Sequence, residues 1–221
     1  ASSNINSVQT ESIKYSINME LSPIYNDFSF IPMNDIDTVK ALRNGCKDKY
    51  GRGACSAYKI KVFGYSDTLS YVSGYMDVTT DNMINLSYMM YKESETYDEN
   101  SCVEIENKYY CAALGPNQIG DGVGLTLGDK YNVFDTESVE FILLIWLTNL
   151  NVKQNEFDIG NFSAIVTMQA GSGGQIKGTI SSAVKVEDEN STNDDNNSSN
   201  IGDENNNNID DNTSENGEVI E

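Results

Sequence analysis

The sequence contains no histidine among its 221 residues. Ser-His-Asp triads, Cys-His pairs and the usual catalytic zinc sites all need imidazole as a base or a ligand, so these chemistries are excluded together. A glycosidase-like carboxylate pair remains open, but spacing singles out no pair among Asp77, Glu93, Glu95, Asp98 and Glu140. We therefore expect no enzymatic activity, no catalytic residues, no metal site and no cofactor.

Basic residues are also scarce. The 14 Lys and Arg stand against 34 Asp and Glu, which gives a net charge of −20. Nucleic acids and anionic lipid surfaces recruit clusters of Lys and Arg, and we expect this chain to lack such clusters. The longest apolar run covers only residues 141–147, whereas a membrane-spanning helix needs about 20 residues. The sequence thus predicts no nucleic-acid partner and no membrane insertion.

The last part of the chain differs in composition from the rest. Residues 187–221 carry 12 acidic residues and no basic one, and only Ile201, Ile209, Val219 and Ile220 could bury much apolar surface. Such a segment cannot offset its ordering entropy, so we expect a disordered tail that like charges extend as a spacer or stalk. A specific calcium site would need acidic ligands at fixed offsets around a turn, and the tail has no full pattern of that kind.

The four cysteines form two pairs of the same C-x8-C spacing, namely Cys46 with Cys55 and Cys102 with Cys111. Four cysteines allow three connectivities, and four thiolates could instead hold zinc, but zinc ribbons use two to four intervening residues. We predict the two local disulfides, at hairpin ends and outside the core. Since the chain begins at Ala1, as after signal-peptide cleavage, the cysteines favour an exported protein.

Apolar and polar residues alternate through most of residues 11–186, which is typical of half-buried strands. The runs are Ile13, Tyr15, Ile17 and Met19, followed by 58–62, 69–78, 86–90, 123–127, 139–147 and 162–166. Turn-forming residues separate them, and one short helix is predicted over residues 35–42, with Ile36, Val39 and Leu42 on its buried face. The pattern predicts an all-β antiparallel sandwich over 11–186, preceded by a flexible arm over 1–10.

Two features of the strands bear on packing. Residues 141–147 are apolar at every position, which predicts a central strand covered on both faces, or on one face by another subunit. Tyrosines at strand positions, such as Tyr71, Tyr75, Tyr88 and Tyr91, favour half-exposed ladders that can form protein interfaces.

Two segments resemble one known group of proteins. FILLIWLTNLNVKQNEFDIGNFSAIVTMQA, residues 141–170, resembles the closing hairpin of the TasA and camelysin type of exported proteins from Gram-positive bacteria, and CSAYKIKVFGYSDTLSYVSGYMDV, residues 55–78, is similar to an earlier unit of that group. The resemblance covers about residues 11–180. It implies a jelly-roll-like β-sandwich secreted into surface fibres or a biofilm matrix. The metallopeptidase label of some members is not carried over, because a histidine-free chain offers no recognisable zinc site.

Two functions remain open at this point. The first is an extracellular structural subunit of a surface or biofilm-matrix fibre that assembles by β-strand addition, with Ile13, Tyr15, Ile17 and Met19 as the assembly strand and the protein itself as partner. The same segment is equally compatible with an ordinary first strand of its own sandwich. The alternative is a monomeric, adhesin-like module at the cell surface, displayed on the acidic stalk and bound to another surface protein or ligand.

Overall fold

The computed structural model describes residues 2–6, 15–66, 70–80, 84–119, 123–124, 130–131, 138–155, 158–170 and 175–187. Its strands are β1 (Ser2–Asn6), β2 (Tyr15–Tyr25), β3 (Ser29–Phe30), β4 (Ser56–Ser66), β5 (Ser70–Thr80), β6 (Leu86–Ser94), β7 (Cys102–Ile105), β8 (Lys108–Gln118), β9 (Val123–Gly124), β10 (Lys130–Tyr131), β11 (Ser138–Leu147), β12 (Gly160–Ala170) and β13 (Gln175–Val186). A 3-10 helix (Asp35–Asp37) leads into the helix α1 (Thr38–Arg43). Ile13, residues 125–127 and the predicted tail after Glu187 lie outside the described residues.

The strands form two sheets that pack face to face. One has the order β1-β13-β12-β5-β10, with β3 beside β13 and β9 beside β5, and the other has the order β2-β4-β11-β6-β8-β7. Among the strands that the structure describes, every pairing is antiparallel except that of β3 with β13. This confirms the predicted all-β, jelly-roll-like antiparallel sandwich with one short connector helix.

An inner core fills the space between the two sheets. Alternate residues of facing strands supply it, because successive side chains of a strand point to opposite faces. Ile60 and Leu143 come from one sheet, Val166 and Ile180 from the other, and all are completely buried. Phe28 adds an aromatic contact at this level, with its ring centroid 5.4 Å from that of Phe162. The inner core therefore joins the sheets over much of their length.

Strand β11 is the central strand of the second sheet, between β4 and β6. Phe141, Leu143 and Ile145 point into the inner core, whereas Leu144 and Trp146 point the opposite way and are equally buried. The prediction of a strand covered on both faces is confirmed, and the chain itself provides both covers.

The second cover is an outer core between this sheet and a layer of helix and loops. Leu42 of α1, the Cys46–Cys55 loop, Val103 of β7 and Tyr110 of β8 pack there against Trp146. The molecule thus has a third layer on the outer face of the second sheet. Within the described part of the chain, no helix has the length and apolar content that a membrane crossing requires.

The N-terminal arm is the first departure from the predictions. We expect flexibility over residues 1–10, but β1 pairs with β13, with Ser2 opposite Ser181 and Asn6 opposite Lys177. Ladder hydrogen bonds are made by the backbone, so a polar segment without an apolar pattern can still pair at a sheet edge.

Side-chain exposure also differs at several predicted positions. Ile36 is 88% exposed, because the buried stripe of the helix runs through Thr38, Ala41 and Leu42 on the other side of the helical wheel. Tyr88 and Tyr91 are buried rather than half exposed, since one faces the inner core and the other the outer core. The side chains of Tyr71 and Tyr75 lie outside the described residues.

The two-faced burial of β11 makes a matched pair of substitutions informative. We expect Leu143→Ala and Leu144→Ala each to lower the free energy of unfolding by about 2–5 kcal/mol, because each removes a fully buried leucine from a packed core. Denaturant unfolding measures both. If Leu144→Ala changed stability by less than about 0.5 kcal/mol, as an exposed residue does, the outer core would not exist in solution.

Candidate functional site: a basic groove beside the first disulfide

Basic residues concentrate in one short stretch of this acidic chain. Five of the 14 Lys and Arg, namely Lys40, Arg43, Lys47, Lys49 and Arg52, fall within residues 40–52. The structure arranges all five around one groove of about 850 Å³. Only two acidic residues, Asp37 and Asp48, share this lining. The groove is therefore locally positive although the whole chain has a net charge of −20.

The end of α1 turns the chain into the wall of the groove. Gly45 and Cys46 both adopt the left-handed conformation, with φ of 68° and 58°. This reversal lets the Cys46 N–H donate to Ala41 O at 2.9 Å, and the Ala54 N–H then donates to Cys46 O at 2.9 Å. The Cys46–Cys55 disulfide closes the loop at a Cα separation of 4.8 Å. The loop is thus fixed at its base by one covalent bond and two backbone hydrogen bonds.

A turn around the partly buried Asp48 fixes the far end of the loop. Asp48 Oδ1 accepts hydrogen bonds from the backbone N–H groups of Tyr50 and Arg52 at 2.8 and 2.9 Å. Its Oδ2 accepts from Arg52 Nε at 2.9 Å. Burial raises the pKa of Asp48, but these hydrogen bonds outweigh it and hold the pKa below its ordinary value of 3.8. Asp48 is therefore a charged anchor for the turn at neutral pH.

The floor of the groove is apolar and its rim is charged. Residues 31–33, Ala41 and Ala54 line the floor between α1 and the disulfide loop. Tyr50 stands at the rim with 57% of its surface exposed, and Lys49 Nζ and the Arg52 guanidinium lie 4.8 and 5.0 Å from its ring centroid. A ligand in this groove would meet apolar surface below and cations at the sides.

The five cations differ in how far the fold already uses them. Arg52 is paired with Asp48, and Arg43 Nε donates to Cys102 O at 3.1 Å, which ties α1 to the second disulfide hairpin. By contrast, Lys40, Lys47 and Lys49 have no carboxylate partner among the described residues. Three ammonium groups therefore remain for an anionic partner.

Sequence reasoning missed this site. The expectation that the chain lacks Lys and Arg clusters is wrong for residues 40–52, because a net charge summed over the chain conceals a local excess of five basic residues. A charge count in a sliding window would have found it. The apolar floor, in contrast, depends on the packing of residues 31–33 against α1, and no local pattern encodes that contact.

The predicted cysteine pairs are both bonded in the structure, as Cys46–Cys55 and Cys102–Cys111. The second pair joins directly opposed positions of the β7–β8 hairpin. Their predicted place outside the core is wrong, since Cys46, Cys55 and Cys102 are at most 2% exposed. The Cys46–Cys55 loop folds onto the outer face of the second sheet and its disulfide is buried there, whereas the second disulfide lies within that sheet and its Cys111 is half buried.

The predicted assembly strand lies within the sandwich where the structure describes it. Tyr15, Ile17 and Met19 belong to β2, the edge strand that pairs with β4, and Met19 is 2% exposed in the inner core. Ile13 lies outside the described residues. The described part of this segment therefore pairs with its own chain.

Two of the carboxylates considered as a catalytic pair, Glu93 and Glu140, are bridged by a lysine. Glu93 and Glu140 both contact Lys108 Nζ, at 3.1 and 3.2 Å, so an ammonium lies between them. Tyr110 donates a hydrogen bond to Glu140 at 2.6 Å. Burial raises the pKa of Glu140, but the hydrogen bonds from Tyr110 and Lys108 outweigh it and hold the pKa below its ordinary value of 4.5. This arrangement stabilises the charged carboxylate and supports the sheet.

A second buried polar group holds the loop after β11. Asp158 Oδ1 accepts from the backbone and side-chain nitrogens of Asn85, both at 2.9 Å, and Asp158 Oδ2 accepts from Gln154 at 2.7 Å. These contacts staple the loop to the start of β6. No three or more Cys, Asp or Glu side chains in the described ranges are placed to hold a metal ion together.

No family model and no curated protein matches this chain. The resemblance to the TasA and camelysin group therefore stays a prediction.

Several solved structures align with the chain at low similarity. The sporulation control protein Spo0M of Bacillus subtilis is 8% identical over 77% of this chain, with a TM-score of 0.24, and the chain spans about half of its length, 49%. A cohesin module of a Clostridium perfringens family 33 glycoside hydrolase is 12% identical over 76% of this chain and 96% of that module, with a TM-score of 0.25.

The collagen-binding subdomain of the Enterococcus faecalis surface protein ACE is 8% identical over 61% of this chain and 90% of that subdomain, with a TM-score of 0.24. At such TM-scores and identities these likenesses carry no argument about function. The site is therefore judged on its own geometry.

The contact between Tyr110 and Glu140 gives a prediction with a defined pH dependence. We expect Tyr110→Phe to lower the free energy of unfolding at pH 7 by about 1.5–3 kcal/mol, since it removes a buried hydrogen bond to a charged group. Because the pKa of Glu140 is depressed in the folded state, the contribution exists above the ordinary value of 4.5 and disappears as pH falls through the folded pKa.

Unfolding curves of the wild type and Tyr110→Phe between pH 7 and pH 3 test this expectation. Tyr109→Phe is the matched control, because the ring of Tyr109 is 37% exposed and packs in a tilted arrangement against Tyr97, with a centroid distance of 5.1 Å. A difference for Tyr110→Phe that did not shrink towards pH 3 would contradict the assignment to Glu140.

Proposed function

We propose that the protein is an extracellular binding module that holds an extended polyanionic ligand in the basic groove. The observation that carries the proposal is the gathering of five basic side chains around one apolar-floored groove in a chain of net charge −20. Elsewhere the fold uses its described lysines singly or in ion pairs, as with Lys108 between Glu93 and Glu140.

At physiological salt, a ligand gains affinity from direct contacts with the lysines of the groove and little from long-range electrostatic attraction. The Debye length is about 8 Å at physiological salt, so the remote acidic surface is largely screened at the groove while direct contacts are not. Exposed ion pairs contribute about 0–1 kcal/mol each, so three lysines give useful affinity only when one ligand engages several of them together. A flexible polymer with repeated carboxylate or sulfate groups meets that requirement.

The rigidity of the groove supports binding. The disulfide, the Asp48 turn and the hydrogen bonds at the end of α1 fix the backbone beneath the lysines before any ligand arrives. Binding to a preformed site loses less conformational entropy than binding that must order a loop. The disulfides also support an extracellular location, because such bonds persist mainly in oxidising compartments.

Charge reversal in the groove tests the proposal. We expect the full chain with Lys47→Glu and Lys49→Glu to bind a size-defined heparin oligosaccharide at least about tenfold more weakly than the wild type at low salt, because two ammonium contacts of up to about 1 kcal/mol each are lost and repulsion replaces them. Calorimetric titration measures the affinity, and poly-L-glutamate as a second probe distinguishes a glycan ligand from an acidic peptide.

The matched control carries Lys153→Glu and Lys177→Glu, which cause the same change in net charge at exposed lysines outside the groove lining. Equal losses in both double variants would mean that net charge alone governs binding. Such a result, or no binding of either probe by the wild type, would contradict a groove-specific site.

Assembly into a surface or biofilm-matrix fibre is the second candidate function. Its support is the position of the N-terminal strands, since β1 and β2 are edge strands of the two sheets. A β1 that left β13 could pair with β13 of another copy, as in strand exchange between identical subunits.

Deletion of residues 1–6 tests this candidate. We expect the intact chain to form filaments visible by negative-stain microscopy, and we expect the deletion to abolish them because β13 of each copy then receives no strand. A synthetic peptide of residues 1–14 is expected to shorten the filaments by occupying free edges. Absence of filaments from the intact chain, or filaments that persist after the deletion, would exclude assembly through β1.

A further inference from the structure

The chain leaves the described structure at the wall of the basic groove. After β13 ends at Val186, the Glu187 N–H donates to Phe30 O at 2.9 Å, just as the Lys185 N–H donates to Phe28 O at 2.9 Å. These bonds hold the end of β13 against β3. The next residue after Phe30 is Ile31, which lines the groove.

Glu187 also lies close to the disulfide loop. A Cβ atom placed on Gly53 would lie 3.4 Å from Glu187 Oε1 and only 2.1 Å from Ser29 O. The Ile31 N–H also donates to Gly53 O at 2.7 Å. Gly53 stands between Arg52 and Ala54, both of which line the groove. The carboxylate of Glu187 therefore lies close to a residue whose two chain neighbours line the groove, and the acidic segment begins there.

The segment that follows is complementary to the groove in charge. Residues 188–221 carry eleven acidic residues and no basic residue. The groove lining carries five basic residues and two acidic ones, one of which, Asp48, is neutralised by Arg52. Because the segment is attached beside the groove, its effective concentration there reaches the millimolar range typical of short flexible linkers. Contacts too weak to hold a free peptide can then hold a tethered one.

Resting on the proposed function, we propose that residues 188–221 occupy the basic groove of their own chain. The tail is then a built-in competitor for external polyanions and not only a stalk. Its hold is weakened by salt, because exposed charge contacts are screened. An external ligand displaces the tail by presenting a higher density of anionic groups than the spaced acidic residues of the segment.

Cross-linking of the full chain tests the contact directly. A carbodiimide joins amines to carboxylates that touch, so at low salt we expect bonds from Lys40, Lys47 or Lys49 to acidic residues of 188–221, mapped by mass spectrometry. Lys177 on β13 is the internal control and is expected to give none. At 0.5 M NaCl the groove bonds are expected to fall at least about fivefold.

Mixing isotope-labelled and unlabelled chains shows whether the tail that is cross-linked to a groove belongs to the same chain or to a second copy. Bonds within one isotope class in monomeric protein support occupation by the chain's own tail. Mixed-label bonds in proportion to concentration mean that a second copy supplies the tail, and they overturn the proposal, as does the absence of groove bonds at low salt.

Binding of the heparin oligosaccharide then distinguishes this proposal from the proposed function. A tail that fills the groove for about nine-tenths of the time weakens the apparent affinity about tenfold. We therefore expect the affinity for the oligosaccharide to rise about tenfold when the eleven acidic residues of 188–221 are changed to Asn and Gln in the full chain. The gain must vanish when Lys47→Glu and Lys49→Glu are also present, because a purely global charge effect would survive there.

Groove-dependent binding without any gain from the neutral tail contradicts tail occupation and leaves the proposed function standing. Loss of all groove-dependent binding, even with the neutral tail, contradicts the proposed function while tail cross-links still report on the contact.

Discussion

Strand β11 needs apolar cover on both faces, and the architecture follows from that requirement. One face is covered by the opposing sheet through the inner core. The other face would expose Ile142, Leu144 and Trp146 in an ordinary two-sheet sandwich, and exposed apolar surface of that size costs about 1.5–3 kcal/mol per large side chain. The chain meets the requirement with α1 and the Cys46–Cys55 loop, which form the third layer, and with Val103 and Tyr110 from the β7–β8 end of the same sheet.

The groove is a product of that third layer. A short helix and a closed loop of this size could not form stable structure alone, since isolated helices shorter than about 12–15 residues are marginal. The helix and the loop are held on the outer core by Leu42 and the buried Cys46–Cys55 disulfide. Their solvent-facing sides do not take part in this packing. The lysines occupy those outward sides. The apolar side chains of this layer thus face β11, and the lysines face solvent.

Local sequence patterns predicted the parts of the molecule that depend on neighbours along the chain. Alternation gave the strands of the sandwich, the apolar run at residues 141–147 gave a strand buried on both faces, and the C-x8-C spacing gave both disulfides. Strand β1 was not predicted, because it has no apolar alternation and depends on backbone pairing with a partner more than 170 residues away.

The site depends on contacts of the same long-range kind. The lysine cluster can be recognised in the sequence of residues 40–52. The apolar floor from residues 31–33 and the return of the chain at Glu187 cannot be recognised there. Each of these comes from pairing between distant segments. The exposure of individual side chains, such as Ile36 or Tyr91, likewise depends on which layer covers each face. The predicted sandwich had only two layers, so the predicted exposure of these side chains was wrong.

The parallel pairing of β3 with the end of β13 has a mechanical consequence. If the protein is held through residues 188–221, tension enters at Glu187 and runs along β13, which pairs with β12 over most of its length, with β1 over residues 177–181 and with β3 at its end. Force in that direction shears many bonds at once and cannot peel them apart singly. Through β3, the hydrogen bond from the Ile31 N–H to Gly53 O passes part of the pull to the loop that the Cys46–Cys55 disulfide closes. A chain tethered in this way would keep its groove intact under drag.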